Sequence, residues 1–384
     1  MKGKLAFLLG IVFVLFLSAC GVFVEGQVTN VRRHQPAVPY VPGVYEYTAI
    51  HTRVELEQAL LEMVHARQDD RRFHIHHFNH DFAERMLEDA ILSVLNEPIA
   101  AYAISAFSPV VQARPVGILE VEVSLSFRRT AAEVAAVSRI HTGFQAVSFL
   151  ENMLARGERY AAILSAANIS NVSFIETVIR EAYYQNPSQV LLLPRVYVSL
   201  HPGIPAGTMR IAQIELDFGF PPETFVQMRY EFNGAISELL SAVPDGLNTA
   251  QTVTWLANTL ALSLEPYPNI TLEPGAPSLV HTAFSALVHQ SANSEGIAMA
   301  MKALLEQLSI PAHVVLGQRS ALPHAWNILY LDGEYYHMDV SQLLAGSLQD
   351  SLFLSEERML LQDYTWDLTL YPRAFSDRNH FEES

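Results

Sequence analysis

One cysteine, Cys20, stands among the 384 residues of the chain. A chain with a single thiol cannot close a disulfide on itself or build a multi-cysteine metal site, so its folded state has to rest on buried apolar surface. The supply is ample, since 50% of the residues are hydrophobic, and a chain of this length divides into two or three domains. The formal charge of −16 argues against a nucleic-acid partner, whose phosphates need concentrated Lys and Arg. After Cys20 no apolar stretch is long enough to cross a bilayer.

The neighbours of Cys20 decide its role. Lys2 and Lys4 precede an apolar run from Leu5 to Leu17, and the segment closes with Leu17-Ser18-Ala19-Cys20-Gly21. The run is shorter than the roughly 20 residues a membrane-spanning helix needs, and small residues before a cysteine fit processing. Residues 1–20 therefore read as a signal peptide ending in a lipobox. The expectation is a lipidated Cys20 that holds the mature protein on the extracytoplasmic face of the cell membrane by two or more acyl chains. Residues 21–50 read as a tether, because Pro36, Pro39, Pro42 and Gly43 prevent regular structure, with Tyr40, Tyr45 and Tyr47 placed to dock its end.

Residues 51–142 and 143–245 read as two copies of one small α/β unit. An amphipathic helix at Leu56–Met63 and an extended piece from Phe73 to Phe78 are matched by Ala146–Leu154 and Tyr160–Leu164. A second helix follows in each copy, Phe82–Leu95 and Val172–Tyr184, and leads to two strands. In the last strand Val121, Val123, Leu125 and Phe127 alternate with polar residues, and so do Ile214, Leu216, Phe218 and Phe220, the mark of a half-buried strand. Helix starts follow at Thr130-Ala131-Ala132-Glu133 and at Pro221-Pro222-Glu223-Thr224. In the first copy, His74, His76 and Phe78 share a strand face, and His80 or Asp81 could complete a metal shell. The second copy has Ala161-Ala162-Ile163-Leu164-Ser165 at the matching place. The expectation is a polar strand edge, with no metal and no other cofactor.

Residues 246–384 form the most informative part. A helical pattern runs from Asn248 to Leu264, a Pro-rich break follows from Pro266 to Pro277, and Ser278–Val288 is ambiguous between helix and strand. Asn293-Ser294-Glu295-Gly296 then opens a helix with Ile297, Met301, Leu304, Leu305 and Leu308 on one stripe. Ser294 at this N-terminus reads either as an N-cap or as a group placed where orphan N–H donors favour developing negative charge. Downstream, Ala325–Leu331 runs into the two-residue turn Asp332-Gly333 and returns as Glu334–Val340. Pairing Leu331 with Glu334 puts Trp326 opposite Asp339 and His324 opposite Ser341, so His324 and Asp339 become diagonal neighbours on one face. An imidazole held by a carboxylate supplies a base and its orienting group.

Ser294-Glu295-Gly296, a strand ending at Gly317, Pro323-His324-Ala325-Trp326-Asn327, Asp332-Gly333 and Tyr336-His337-Met338-Asp339-Val340 resemble the bacterial transglutaminase-like family. So do Leu352-Phe353-Leu354 with Ser355-Glu356-Glu357, and the tail Tyr364-Thr365-Trp366-Asp367 with Tyr371-Pro372. The resemblance implies an α+β fold with a papain-like core and a Cys-His-Asp triad for acyl transfer. His324 and Asp339 match its base and orienting acid, Ser294 stands in its cysteine position, and Asn293 and Trp326 are candidates for the cleft. No other cysteine can substitute. The leading expectation is a non-catalytic module that binds peptide segments or cell-envelope material. The alternatives are a serine hydrolase or acyltransferase on a Ser-His-Asp triad, and a structural or assembly lipoprotein.

Overall fold

The computed structural model describes residues 47–76, 79–114, 118–204, 208–265, 278–344, 348 and 350–378. The expected signal peptide, the tether up to residue 46, the His77-Phe78 pair and the break from Pro266 to Pro277 lie outside the described residues. The fold is of the α+β kind, with three sheets.

In the first unit, helix α1 (Arg53–Ala66) starts at Thr52, whose side chain accepts from the Glu55 N–H, and it buries Leu56, Ala59, Leu60, Met63 and Val64. Helices α2 (His80–Leu95) and α3 (Pro98–Ala103) follow. Strands β1 (Thr48–Ile50), β2 (Asp70–His76), β3 (Ile104–Arg114) and β4 (Ile118–Phe127) form a sheet in the order β1-β2-β4-β3. β1 runs parallel to β2, while β2 and β3 each pair antiparallel with β4. A short helix, α4 (Ala131–Ala135), carries a capping box between Thr130 and Glu133.

The second sheet is built the same way. β5 (Ser138–Arg139), β6 (Tyr160–Ala166), β7 (Arg195–His201) and β8 (Met209–Asp217) lie in the order β5-β6-β8-β7, again with the first pair parallel and the others antiparallel. Helices α5 (Gly143–Arg156), α6 (Val172–Gln185) and α7 (Pro222–Ser241) accompany it. Each sheet opens with a strand of two or three residues lying just ahead of the boundaries at 51 and 143, since so short a strand shows no alternation to read. The last strand is shorter than its apolar alternation suggests. It ends at Asp217, whose Oδ1 accepts from the Gly219 N–H at 2.8 Å, and Gly219 turns the chain at φ 75°. The alternation holds from Ile214 onward, with Ile214, Leu216 and Phe218 buried and Glu215 and Gly219 exposed. Upstream of it β8 is covered on both faces, because Tyr102 of α3 packs with Ala162, Leu164 and Ile211.

In the third unit, α8 (Thr249–Ser263) has a reciprocal cap between Asn248 and Gln251. The ambiguous stretch becomes a short helix, α9 (Ala283–Val288). Helix α10 (Ser294–Gln307) is buried from Gly296 to Leu305 rather than along one stripe. A helix apolar all round belongs inside a core. Its one buried cation, Lys302, donates to the Ala312 carbonyl at 2.8 Å and pairs with Glu306 at 2.9 Å. Strands β9 (Ala312–Arg319), β10 (Leu322–Leu331), β11 (Glu334–Met338), β12 (Leu352–Leu354) and β13 (Tyr364–Thr365) form a sheet in the order β12-β11-β10-β9-β13, and α11 (Val340–Leu343) and α12 (Glu356–Leu361) complete the unit. The first unit has its own core, whereas one continuous apolar cluster runs from α5 and α6 through α8, α9 and α10 to Leu352 and Phe353.

Candidate active site

The β10–β11 hairpin sets the site. Asp332 and Gly333 both have positive φ, 52° and 93°, as a two-residue turn of this twist demands. The ladder then runs from Leu331 opposite Glu334 to Asn327 opposite Met338. Beyond Met338 the chain leaves the ladder, and Asp339 becomes the cap of α11, accepting from the Gln342 N–H. Asp339 and His324 still meet, with Oδ2 and Nε2 2.6 Å apart.

Asp339 is 1% exposed. Burial alone pushes its carboxyl up, but the hydrogen bond and positive charge of His324, with hydrogen bonds from Ser341 and Tyr364, outweigh burial and hold it below the ordinary carboxylate range. The Tyr364 hydroxyl donates to Oδ2 at 2.6 Å and the Ser341 hydroxyl to Oδ1 at 2.6 Å. Pairing of β13 with β9 delivers Tyr364, and burial beside Asp339 raises its phenol well above the usual range. With Nε2 committed to Asp339, the other ring nitrogen of His324, Nδ1, is left to accept a proton, and no hydrogen bond reaches it among the described residues.

Ser294 is the first residue of α10, not its cap. The cap is Asn293, whose Oδ1 accepts from the Gly296 N–H at 3.0 Å. That bond replaces the N-cap reading of Ser294 and occupies the Asn293 side chain. Ser294 Oγ instead accepts from the N–H of Ala325, the residue after His324, at 3.2 Å. Among the described residues no hydrogen bond joins Ser294 Oγ to the His324 ring. Gly296 lets this helix start sit where it does, because a Cβ there would lie 2.6 Å from the Val280 carbonyl oxygen. Glu295 is held from another unit, its Oε1 accepting from the Tyr184 hydroxyl of α6 at 2.7 Å.

Trp326 is 1% exposed and is no cleft wall. Its side chain lies in the core beneath the site, 6.3 Å from the His324 ring, and its Nε1 donates to Nδ1 of His337 at 2.9 Å. His337 is fully buried, and burial lowers it to about 3, so it is a neutral acceptor. Gly317 lies inside β9, not at its end, and sits across from His324. A Cβ at this position would lie 2.4 Å from the Thr365 carbonyl and 2.7 Å from the Trp326 ring, so only glycine lets β13 close over the indole. A shallow recess lined by Leu316, Gly317, Gln318, Thr365 and Trp366 runs along this edge.

The contributions of Tyr364, Ser341 and Tyr184 escape sequence reasoning. Ser341 alone carries a local signal, as a hydroxyl two residues after a carboxylate. The histidine cluster of the first unit is spread out. The His74 ring stacks on Tyr47 at 3.8 Å and its Nε2 lies 3.9 Å from Glu120, while His80 pairs with Glu84 at 3.5 Å. Among the described residues no three His, Cys, Asp or Glu side chains gather as a metal site.

No protein-family model and no curated protein matches the chain. Solved structures do, among them one titled as the crystal structure of a TGase, a transglutaminase. It is 14% identical, the match covers 59% of this chain and 64% of that one, and the TM-score is 0.26. The chain thus spans just under two thirds of that structure's length.

Proposed function

We propose that residues 246–384 are a transglutaminase-like module in which Ser294 has replaced the nucleophilic cysteine, and that the module binds rather than turns over. One observation carries this reading: Ser294 Oγ is occupied by the Ala325 N–H and makes no hydrogen bond to His324. A thiol beside an imidazolium ionises well below its usual pKa of about 8.5 and stores a nucleophile in advance. A hydroxyl cannot, and needs its proton removed during attack by a base in contact with it. The ligand class is a peptide segment or cell-envelope material, met outside the membrane by a lipoprotein anchored through Cys20. No helix among the described residues is long and apolar enough to cross a membrane, which agrees with a lipid anchor. The two N-terminal units, with their matching strand orders, are on this reading a duplicated pair that projects the module or docks a partner in a structural role.

A second reading has its own observation, the His324–Asp339 pair, in which no hydrogen bond reaches Nδ1 among the described residues. Ser294 Oγ would attack the carbonyl carbon of an amide or ester as its proton passes to Nδ1, Asp339 would hold the Nε2–H tautomer, the first N–H groups of α10 would stabilise the oxyanion, and the bond to the amine or alcohol would then break as that group leaves with the proton from Nδ1. Water or an amine would then release the acyl group. The test is to treat the chain from Val22 onward with a fluorophosphonate and compare intact mass with that of Ser294→Ala. No adduct on the folded protein supports the binding module. A single adduct that disappears in the variant overturns it in favour of the serine enzyme. For the anchor, an alkyne-bearing palmitate fed to the cells should label the parent protein and not Cys20→Ser, and equal labelling of the two would refute lipidation at Cys20.

A further inference from the structure

A cavity of about 700 Å³ lies at the opposite end of the third unit from the Ser294 site, between α8 and the turn of the β10–β11 hairpin. Asp332 on its rim follows the end of β10 and is eight residues from His324, about 26 Å at roughly 3.3 Å per residue. One wall is a single face of α8: Gln251, Thr254, Trp255 and Asn258 fall at three- and four-residue steps. Thr254, Trp255 and Asn258 are partly buried, and the threonine hydroxyl, the indole N–H and the carboxamide, which make no hydrogen bond among the described residues, stay accessible to solvent. Half-buried polar groups converging on one cavity with an aromatic ring among them are the composition of a ligand site rather than of a packing face.

The opposite wall fixes the ligand's charge. It presents the carboxylates of Asp332, Glu334 and Asp377 against one guanidinium, Arg378. Arg378 is paired with Asp332, and Asp377 accepts from the Ser355 N–H at 2.6 Å. The surplus is negative, so phosphate, uronate and other anionic groups are repelled. What remains is a ligand that is neutral or carries an amine, offers hydroxyls and amides in both donor and acceptor roles, and has a C–H face for Trp255. We infer that this cavity is a saccharide-binding site for neutral or amino-sugar units, separate from the Ser294 site and independent of whether that site is catalytic.

The test is calorimetry of the chain from Val22 onward with chitotriose, cellotriose, maltotriose and mannotriose, alongside a trigalacturonate and trilysine. The inference expects saturable binding of at least one neutral trisaccharide and none of the trigalacturonate. Asn258→Leu, nearly isosteric, should weaken that binding by about tenfold for the lost amide contacts. Trp255→Phe should keep the affinity within a few-fold while abolishing any ligand-induced change in tryptophan emission, since Trp326 and Trp366 lie elsewhere. Melting curves of both variants report whether they fold. Absence of binding to all four neutral sugars, equal binding of the trigalacturonate, binding of trilysine alone, or sugar binding indifferent to Asn258→Leu in a folded variant would each overturn the inference.

Discussion

Tyr364 and His324 donate to the same oxygen of Asp339, each at 2.6 Å. The imidazole arrives on β10 and the phenol on β13, from opposite sides of β9, so the carboxylate fastens the edge of the sheet to its middle.

Removing that phenol should be felt in stability first. Tyr364→Phe keeps the ring in the core and deletes one donor to a buried charge, so unfolding free energy at pH 7 should fall by about 1–3 kcal/mol. Because the folded Asp339 titrates below the unfolded one, its contribution is present at neutral pH and is lost as pH drops from the ordinary carboxylate range through the folded value. The variant should lose this contribution at a higher pH than the parent. Urea unfolding followed from pH 7 to pH 3 measures both effects, and an unchanged free energy would mean that the hydrogen bond adds nothing net.

His337 supplies a second, separable pH dependence. Its folded value near 3 lies below the unfolded 6.5, so the stability it confers is complete above about pH 6.5 and declines as pH falls toward 3, at up to about 1.4 kcal/mol per pH unit. His337→Gln retains an acceptor for the Trp326 N–H but cannot titrate there. The slope of unfolding free energy against pH between 6 and 4 should be shallower by about one proton in the variant, and parallel slopes would count against the assignment.

The dyad can be interrogated without any substrate. In the chain from Val22 onward, Ser294→Cys is the only thiol. If the His324 ring reaches position 294, iodoacetamide should alkylate that thiol with an apparent pKa at least about one unit below 8.5, and His324→Gln in the same background should return it toward 8.5. Equal values in the two proteins would show that the ring does not act on this position.

Gly317→Ala places a methyl group against the Thr365 carbonyl and the Trp326 ring. Backbone and a buried indole cannot both retreat, so the loss should be about 2–3 kcal/mol, with β13 displaced from β9. Thermal unfolding gives the first quantity and near-ultraviolet circular dichroism of the buried indole the second. A variant as stable as the parent would contradict the packing described at this strand.

What could be read in the sequence follows from the range of the forces involved. Asp332-Gly333 fixes the hairpin register and so brings His324 and Asp339 to the same end of it, but the ladder stops at Asn327 opposite Met338, and Asp339 reaches His324 from the cap of α11 rather than as a diagonal neighbour in the sheet. Asn293 and Ser294 were one residue out of place, since both are good caps and only the backbone decides which one turns. Trp326 was legible as a neighbour of the site but not as its floor, because its burial depends on β13, which joins the sheet from far along the chain. The alternation from Ile214 is kept, with Glu215 and Gly219 exposed, but the start of the same strand at Ile211 is covered by Tyr102 of another unit, a contact with no local signal. Tyr184 and Glu295, from different units, share no local pattern at all.

The single apolar cluster that joins the second and third units has a consequence for descent. Recombination near residue 245 would strand α6 and α7 without α9 and α10, leaving two half-covered fragments, so the stretch from β5 to the last helix can be inherited or lost only as one piece. The first unit has a core of its own and meets the second through Tyr102, Arg129 and the small cluster around Ile211, so its separation would uncover far less apolar surface than a break at residue 245.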